Sequence, residues 1–331
     1  MALDEKVEER VITAEEPSKT TTSESPKLHP FRRLKELWRY REILGNLTRK
    51  EVKVKYTSSV LGAAWAMLNP LLFLLVFWLV FGVILPNGLP DFPIYILSGI
   101  LAWNVFNGSL TGASRSIVEN ANLVKKVYFP REILPLASMG ASLVDFVFQA
   151  VVLGAFLAIL SHNPFGLNMV LLPLAFVALL LFSLSLSFLV AALNVKYRDT
   201  QHLLSLALLM WFWLSPVIYP MAAIQDRFMH SRFLEGGLYA YLILNPMATI
   251  LSGFQRAIYK VVTWTMTSSK TVGPATNRHV KVTHDHVRAL LDFSIGKQAF
   301  FLGISCVVSM LLILVTWRYF FRQAGDFAEE L

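Results

Sequence analysis

Charged residues vanish from long stretches of this chain and crowd into the gaps between them. Tyr56 to Pro90 holds no Asp, Glu, Lys or Arg, and its centre, 61–85, is long enough to cross the hydrocarbon core of a bilayer as a tilted helix. Asn69-Pro70 sits near its start, where proline removes a backbone hydrogen bond and predicts a bend. Further apolar segments follow at 92–112, 133–160, 167–193, 203–218 and 298–317. The third is interrupted only by Asp145. Between 221 and 297 the pattern breaks down, although Leu238 to Gln255 is again uncharged. Asn245-Pro246 and Gly253 make that stretch a poor straight helix and predict a re-entrant or surface-lying element. The predicted fold is all-α and polytopic, with six spans in one membrane domain over 56–321 packed through small residues such as Gly62, Ala63, Gly140, Ala141, Ser183, Ser185 and Ser187.

The flanks read differently. Residues 1–30 are polar, rich in Thr, Ser and Glu and without the apolar core of a signal peptide, so a disordered tail is expected. Residues 31–55 place Phe31, Leu34, Leu37, Trp38, Leu44 and Leu47 on one helical stripe. Arg32, Arg33, Lys35, Arg39 and Arg49 surround it, which predicts a single interfacial helix with Trp38 and the arginines among anionic headgroups. Short-loop basic residues set orientation: nine in Phe31 to Val60, four between the second and third spans and two between the fourth and fifth predict cytoplasmic termini. The last ten residues, 322–331, are expected to form a cytoplasmic tail.

Composition adds the solvent. The chain of 331 residues is 55% hydrophobic and only 16% charged, too apolar to cover itself with polar surface in water. The net charge of +8 clusters beside the apolar runs and on no recognisable nucleic-acid module, so anionic lipid is the expected counter-charge and nucleic acid is not an expected partner. The single cysteine, Cys306, excludes an internal disulfide. No GxxxxGK[ST] loop or hydrolase motif is present, so active transport would need an engine on another chain.

The connection SIVENANLVKKVYFPREILP, from Ser116, reads as a helical first half followed by Pro130 at the opening of the next helix. It is either a solvated turn or a knob that docks a partner. Together with KYTSSVLGAAWAMLNPLL from Lys55, NVKYRD from Asn194 and LNP at Leu244, the string NLVKKVYFPREILPLA from Asn122 resembles the landmarks of type-2 ABC-transporter permeases. Within that class the polysaccharide-export branch, with its O-antigen, teichoic-acid and capsule exporters, is the most similar. The resemblance implies a homodimer in the plasma (inner) membrane, each subunit docked on a separate nucleotide-binding subunit, giving two permease and two ATPase chains. ATP and magnesium would then be bound by the ATPase, with no cofactor on this chain. It also implies that Glu119 to Arg131 is the coupling segment, with Glu119, Asn120, Lys125, Lys126, Tyr128 and Arg131 in contact and Arg198 and Asp199 on the same face. Leu244 to Ile258 would form outward-facing gate helices. The cargo implied is a lipid-linked cell-surface glycan, whose pyrophosphate Arg32, Arg33 and Arg39 could attract. Thr267 to Asp292 departs from the family in being longer and more polar.

Aromatic residues recur within the spans, and flat rings can stack on sugar without deep binding wells. Phe73, Phe77, Trp103, Phe106, Trp211, Trp213 and Tyr219 are the candidate channel residues. Asp145, the acid well inside a span, is either functional or paired with a polar neighbour. Its change to Asn abolishes transport only in the first case. His279, His284 and His286 are read as part of a solvated loop, and no metal site is assigned. A drug- or lipid-exporting permease and an ion-driven secondary transporter are the rival functions; one membrane acid and no inverted repeat disfavour the latter. The expected topology is checked by labelling cysteines placed at Lys125 and Lys126: reagent should reach them from the cytoplasmic side, and reaction from outside would reverse the assignment.

Overall fold

The computed structural model describes residues 30–57, 59–62, 64–84, 89–229, 237–261, 263–272 and 279–331. The expected tail over 1–29 lies outside them. The helices are α1 Pro30–Arg39, α2 Arg41–Tyr56, α3 Ala64–Trp78 with a π-helical extension Leu79–Ile84, α4 Phe92–Glu119, α5 Ala121–Lys126 and α6 Ile133–Ile159. A single 3-10 turn, Leu167–Val170, leads into α7 Leu171–Lys196, and α8 Thr200–Leu214, α9 Met221–Met229, α10 Gly237–Leu244 and α11 Pro246–Ile258 follow. The strands β1 Thr263–Val272 and β2 His279–Arg288 precede α12 Ile295–Gln323 and α13 Phe327–Glu330.

Among the described residues four helices are long and apolar enough to cross a membrane: Ala64–Ile84, Ile133–Ile159, Leu167–Lys196 and Ile295–Gln323. The chain is a multi-pass helical membrane protein. Its centre is α4, which fails the same test because Asn, Ser, Gly and Thr interrupt it and which is nevertheless the innermost helix, with Ile94, Tyr95, Ile96, Leu97 and Phe106 fully buried. Small residues let α6 close on it. A Cβ on Gly108 would stand 2.9 Å from Ser142 Oγ, and one on Gly112 3.0 Å from Ser138 Cβ. Such close approach is how helices bind one another where burial from water offers no driving force. Exposed Leu72, Leu75 and Val76 on α3 and Val307, Leu311 and Val315 on α12 suit a lipid-facing perimeter.

Several elements depart from the expected boundaries. The second helix runs past 112 to Glu119, so Ala113 to Glu119 belongs to it rather than to the connection. The first span continues through Pro70 without interruption of its helical assignment. The amphipathic segment is two helices broken at Tyr40, and α2 packs along α6, with Leu47 buried and a Gly140 Cβ only 2.8 Å from Thr48 Oγ1. Gly62 sits in a turn at φ 51°, where its lack of a Cβ serves the backbone and not helix packing. Among the described residues β1 and β2 form one antiparallel sheet within the otherwise helical fold, Trp264 pairing with Val287 and Thr267 with His284. His279, His284 and His286 lie on its second strand, and their side chains are outside the described residues.

The fifth apolar segment ends as a helix at Leu214, and Ser215 to Tyr219 is irregular backbone. Hydrocarbon offers such backbone no partners, so protein must supply them. Tyr241 Oη donates to the Leu214 carbonyl at 2.7 Å, Gln255 Nε2 to Pro216 at 2.9 Å and Tyr95 Oη to Tyr219 at 2.7 Å. Two of these donors come from the pair α10 and α11, which meet at a 95° bend. Asn245 makes the bend: its side-chain oxygen accepts from Ala248 N and Pro246 opens the new helix. All thirteen residues of α11 are buried, so this half of the uncharged stretch lies inside the bundle and not on its surface. Gly253 admits it, since a Cβ there would lie 3.0 Å from Ala175 Cβ and 3.1 Å from Leu302.

Gly253→Val should therefore cost about 1–3 kcal/mol by overpacking. Gly154→Ala, whose added methyl meets nothing within 4 Å, should cost nothing measurable. Denaturation in mixed micelles compares them, and equal stability would contradict the wedge described for α11.

Candidate functional site

Two features carry the candidate chemistry: the end of the bundle that presents α5, and a groove between α3, α4 and α8. At the α5 end the chain turns sharply at Asn120. Its amide donates to the Ser116 carbonyl at 2.8 Å and accepts from Lys50 Nζ at 2.6 Å. Asn120 is buried and acts as the hinge of the turn, not as an exposed contact. Val124 and Phe129 seat α5 and the following loop on a core with Ile117, Phe188, Val195 and Phe320. Lys125, Lys126 and Tyr128 are left outward, Tyr128 at 87% exposure, and Glu119, Arg198 and Asp199 are also exposed.

Arg131 turns inward instead. Its guanidinium lies 5.9 Å from the Phe327 ring centroid, and burial holds its pKa below the ordinary arginine value against the pull of Asp326 and Glu132. The C-terminal segment expected as a cytoplasmic tail packs here. Phe327 is 1% exposed and packs edge-on to Phe320 at 5.4 Å, placing α13 beside α5 and α7. Next to it lies Glu132, fully buried at the start of α6, where the helix dipole favours its charge. Arg33 Nε donates to it at 2.9 Å and Trp317 Nε1 at 3.3 Å. Burial works against the Arg33 charge, but the hydrogen bond and charge of Glu132 win and raise its pKa. Arg33 is thus a tie between α1, α6 and α12, not a headgroup ligand, whereas Arg32, Arg39 and Trp38 are exposed. Nothing in sequence spacing joins Arg33 to Glu132; their separation is 99 positions.

The groove has a volume of about 500 Å³. Phe73 and Phe77 from α3, Trp103 from α4, and Phe212 and Trp213 from α8 supply its rings. Asn69, Asn104, Asn107, Thr111 and Ser205 supply amides and hydroxyls among them. The rings form a connected set, Phe77 against Phe212 at 6.3 Å and Phe212 against Trp103 at 5.3 Å. Three of the seven expected channel aromatics are elsewhere. Phe106 is fully buried, stacked on Phe182 at 5.4 Å and edge-on to Trp211 at 5.3 Å. Trp211 donates its N–H to Asn245 Oδ1 at 2.9 Å, and Tyr219 binds the Trp213 carbonyl at 3.0 Å. Trp211 thereby braces the bend between α10 and α11, with Phe106 packed behind it. The polar members went unnoticed in the sequence, although Asn104, Asn107 and Thr111 recur at helical spacing through an apolar run and so mark one face.

Asp145 is paired. Lys55 Nζ and Tyr56 Oη, at the end of α2, both donate to its carboxylate. A membrane-embedded acid with two donors is satisfied in place, and it lies on α6, away from the groove lining.

Glu132→Ala would leave Arg33 with only the partly exposed Glu36 as partner and Trp317 Nε1 without an acceptor, and should cost about 1–3 kcal/mol. Glu36→Ala removes the partly exposed second partner of Arg33 and should cost under about 1 kcal/mol. Chemical denaturation of both variants checks the ranking, and a mild Glu132→Ala would refute the tie.

Comparison with known proteins accounts for this architecture. The ABC-2 type transporter profile matches residues 44–259, from α2 to the end of α11. The chain is 34% identical over 230 residues to the O-antigen export system permease protein RfbA of Myxococcus xanthus, covering 70% of this chain and 85% of that one. It is 29% identical over 188 residues to the RfbA permease of Klebsiella pneumoniae, covering 56% and 72%. With the polysialic acid transport protein KpsM of Escherichia coli it shares 22% identity over 213 residues, covering 63% and 78%. The chain belongs to the ABC-2 type transporter family.

Proposed function

We propose that this chain is the membrane-spanning subunit of an inner-membrane, ATP-driven exporter of lipid-linked cell-surface polysaccharide. The observation that carries the reading is the groove, where connected aromatic rings from α3, α4 and α8 stand among the amides and hydroxyls of Asn69, Asn104, Asn107, Thr111 and Ser205. Rings stack on the apolar faces of sugars and amides bind their hydroxyls, so a glycan meets many weak contacts and no deep well. The O-antigen and polysialic acid names of the relatives point to the same cargo class.

Lys125, Lys126 and Tyr128 on α5 and its loop, with Arg198 and Asp199 from the connection before α8, form the docking face for a separate nucleotide-binding subunit. The chain carries no phosphate-binding loop, so ATP and magnesium belong to that partner. A push on α5 reaches the groove because α4 is continuous from Phe92 to Glu119 and hinges at Asn120. Glu132 passes the same displacement to α6 and α12. A second copy of the chain completes the conduit.

Replacing Lys125, Lys126 and Tyr128 together by Ala should leave thermal stability unchanged and remove most of the ATPase that co-purifies with the permease. Retained ATPase would disprove the docking face. Trp103→Ala should cut glycan export several-fold while leaving ATPase binding intact, measured as surface polysaccharide on cells complemented with each variant.

A further inference from the structure

The helix that carries the docking residues cannot hold its own angle. α5 has six residues, and isolated helices shorter than about 12–15 residues are marginal. Val124 is its buried residue, whereas Lys125, Lys126 and the following Tyr128 are exposed. What fixes its angle must therefore come from the elements around it. Lys50 of α2 holds its start through Asn120. Its main neighbours are α4, which it continues, and α13.

α13 is shorter still, at four residues. Asp326, just ahead of it, and Glu330 are exposed, while Phe327 is buried edge-on to Phe320 of α12 and shares a core with Val124 and Phe129. The same ring carries the guanidinium of Arg131, which stands in the loop between α5 and α6. Arg131 Nη1 is buried and has no hydrogen-bond partner among the described residues. A buried donor without an acceptor is costly, and the negative face of an aromatic ring is the compensation within reach. Asp326 pulls on the same charge. Phe327 thus joins, at one point, the end of α12, the foot of α5 and the loop that follows it.

We propose that Phe327 is a positioning residue for coupling: by anchoring α13 against α5 and the Arg131 loop, it fixes the angle at which Lys125, Lys126 and Tyr128 meet the nucleotide-binding subunit. The inference rests on the docking reading of those three residues. Phe327 is too deeply buried to touch the partner itself. Without its ring the docking side chains remain available, so the partner still binds. A seat that yields, however, absorbs a displacement instead of passing it on.

Inverted membrane vesicles from complemented cells allow ATP hydrolysis and glycan transport by the permease–ATPase complex to be measured together. In Phe327→Ala the ATPase should still co-purify and hydrolysis should stay within about twofold, while glycan moved per ATP should fall about fivefold, a loss within the range of coupling changes. Phe327→Leu, which refills the buried volume, should restore most of it. A purely structural role would lower the amount of complex and leave the ratio alone. An unchanged ratio in Phe327→Ala overturns the proposal, as does loss of the ATPase, which would make α13 part of the contact instead of its support. Hydrogen exchange on the full-length permease gives a second reading: α5 amides should exchange faster in Phe327→Ala, with α4 and α7 unchanged, and unaltered α5 exchange overturns the anchor. Retained ATPase in the triple Lys125, Lys126 and Tyr128 variant would overturn the docking reading and the coupling role with it, and the exchange result would still decide whether Phe327 seats α5.

Discussion

A peptide group inside hydrocarbon has no water to bond, and that constraint governs each irregular feature of this fold. Where the chain leaves helical geometry, between Leu214 and Met221, neighbouring side chains from α4, α10 and α11 take over its carbonyls. The bent pair α10 and α11 exists on the same terms. Its 95° bend is tolerated because Asn245 caps the new helix while accepting from Trp211, and α11 is sealed on all sides. The bend and the irregular segment therefore satisfy each other's polar groups.

The two ends of the bundle solve a different problem. At the α5 end a buried ion pair with an indole N–H, Arg33, Glu132 and Trp317, joins three elements that are remote in sequence. Such a pair adds less to stability than its hydrogen bonds suggest, because both charges are taken from water. What it adds is register: α1, α6 and α12 can meet in few other ways without stranding a charge. Phe327 extends that lock from the C-terminus to α5. α5 is seated on this base through Val124 and packs beside α13. At the other end Asp91, Ser161 and Lys260, the non-glycine residues with positive φ among those described, meet around His162, which pairs with Asp91 at 2.8 Å and stacks on Tyr259.

Between these ends lies the cleft. Asn104, Asn107 and Thr111 follow one face of α4, so the long helix too polar for a lipid-facing span supplies most of the cleft's polar lining. The polar residues that disqualify α4 as a lipid-facing helix are those the groove uses. That trade is open only to a helix shielded from lipid by its neighbours, here α6, α7 and α11.

Apolar runs by themselves determined that the chain crosses a membrane and roughly where, since exclusion of charge over a span is a local property that composition records. They also marked Leu238 to Gln255 as broken, because Asn-Pro is a local signal. The exposed face of α5 was legible for the same reason: Lys125, Lys126 and Tyr128 stand together in the chain. Tertiary structure alone decided the rest. Whether an aromatic faces cleft or core depends on the rotation of its helix against others, which is why Trp103 and Trp213 line the groove while Phe106 and Trp211 do not. Partners such as Arg33 and Glu132, or Lys55 and Asp145, are chosen by packing across some ninety positions or more, a distance over which periodicity carries no information.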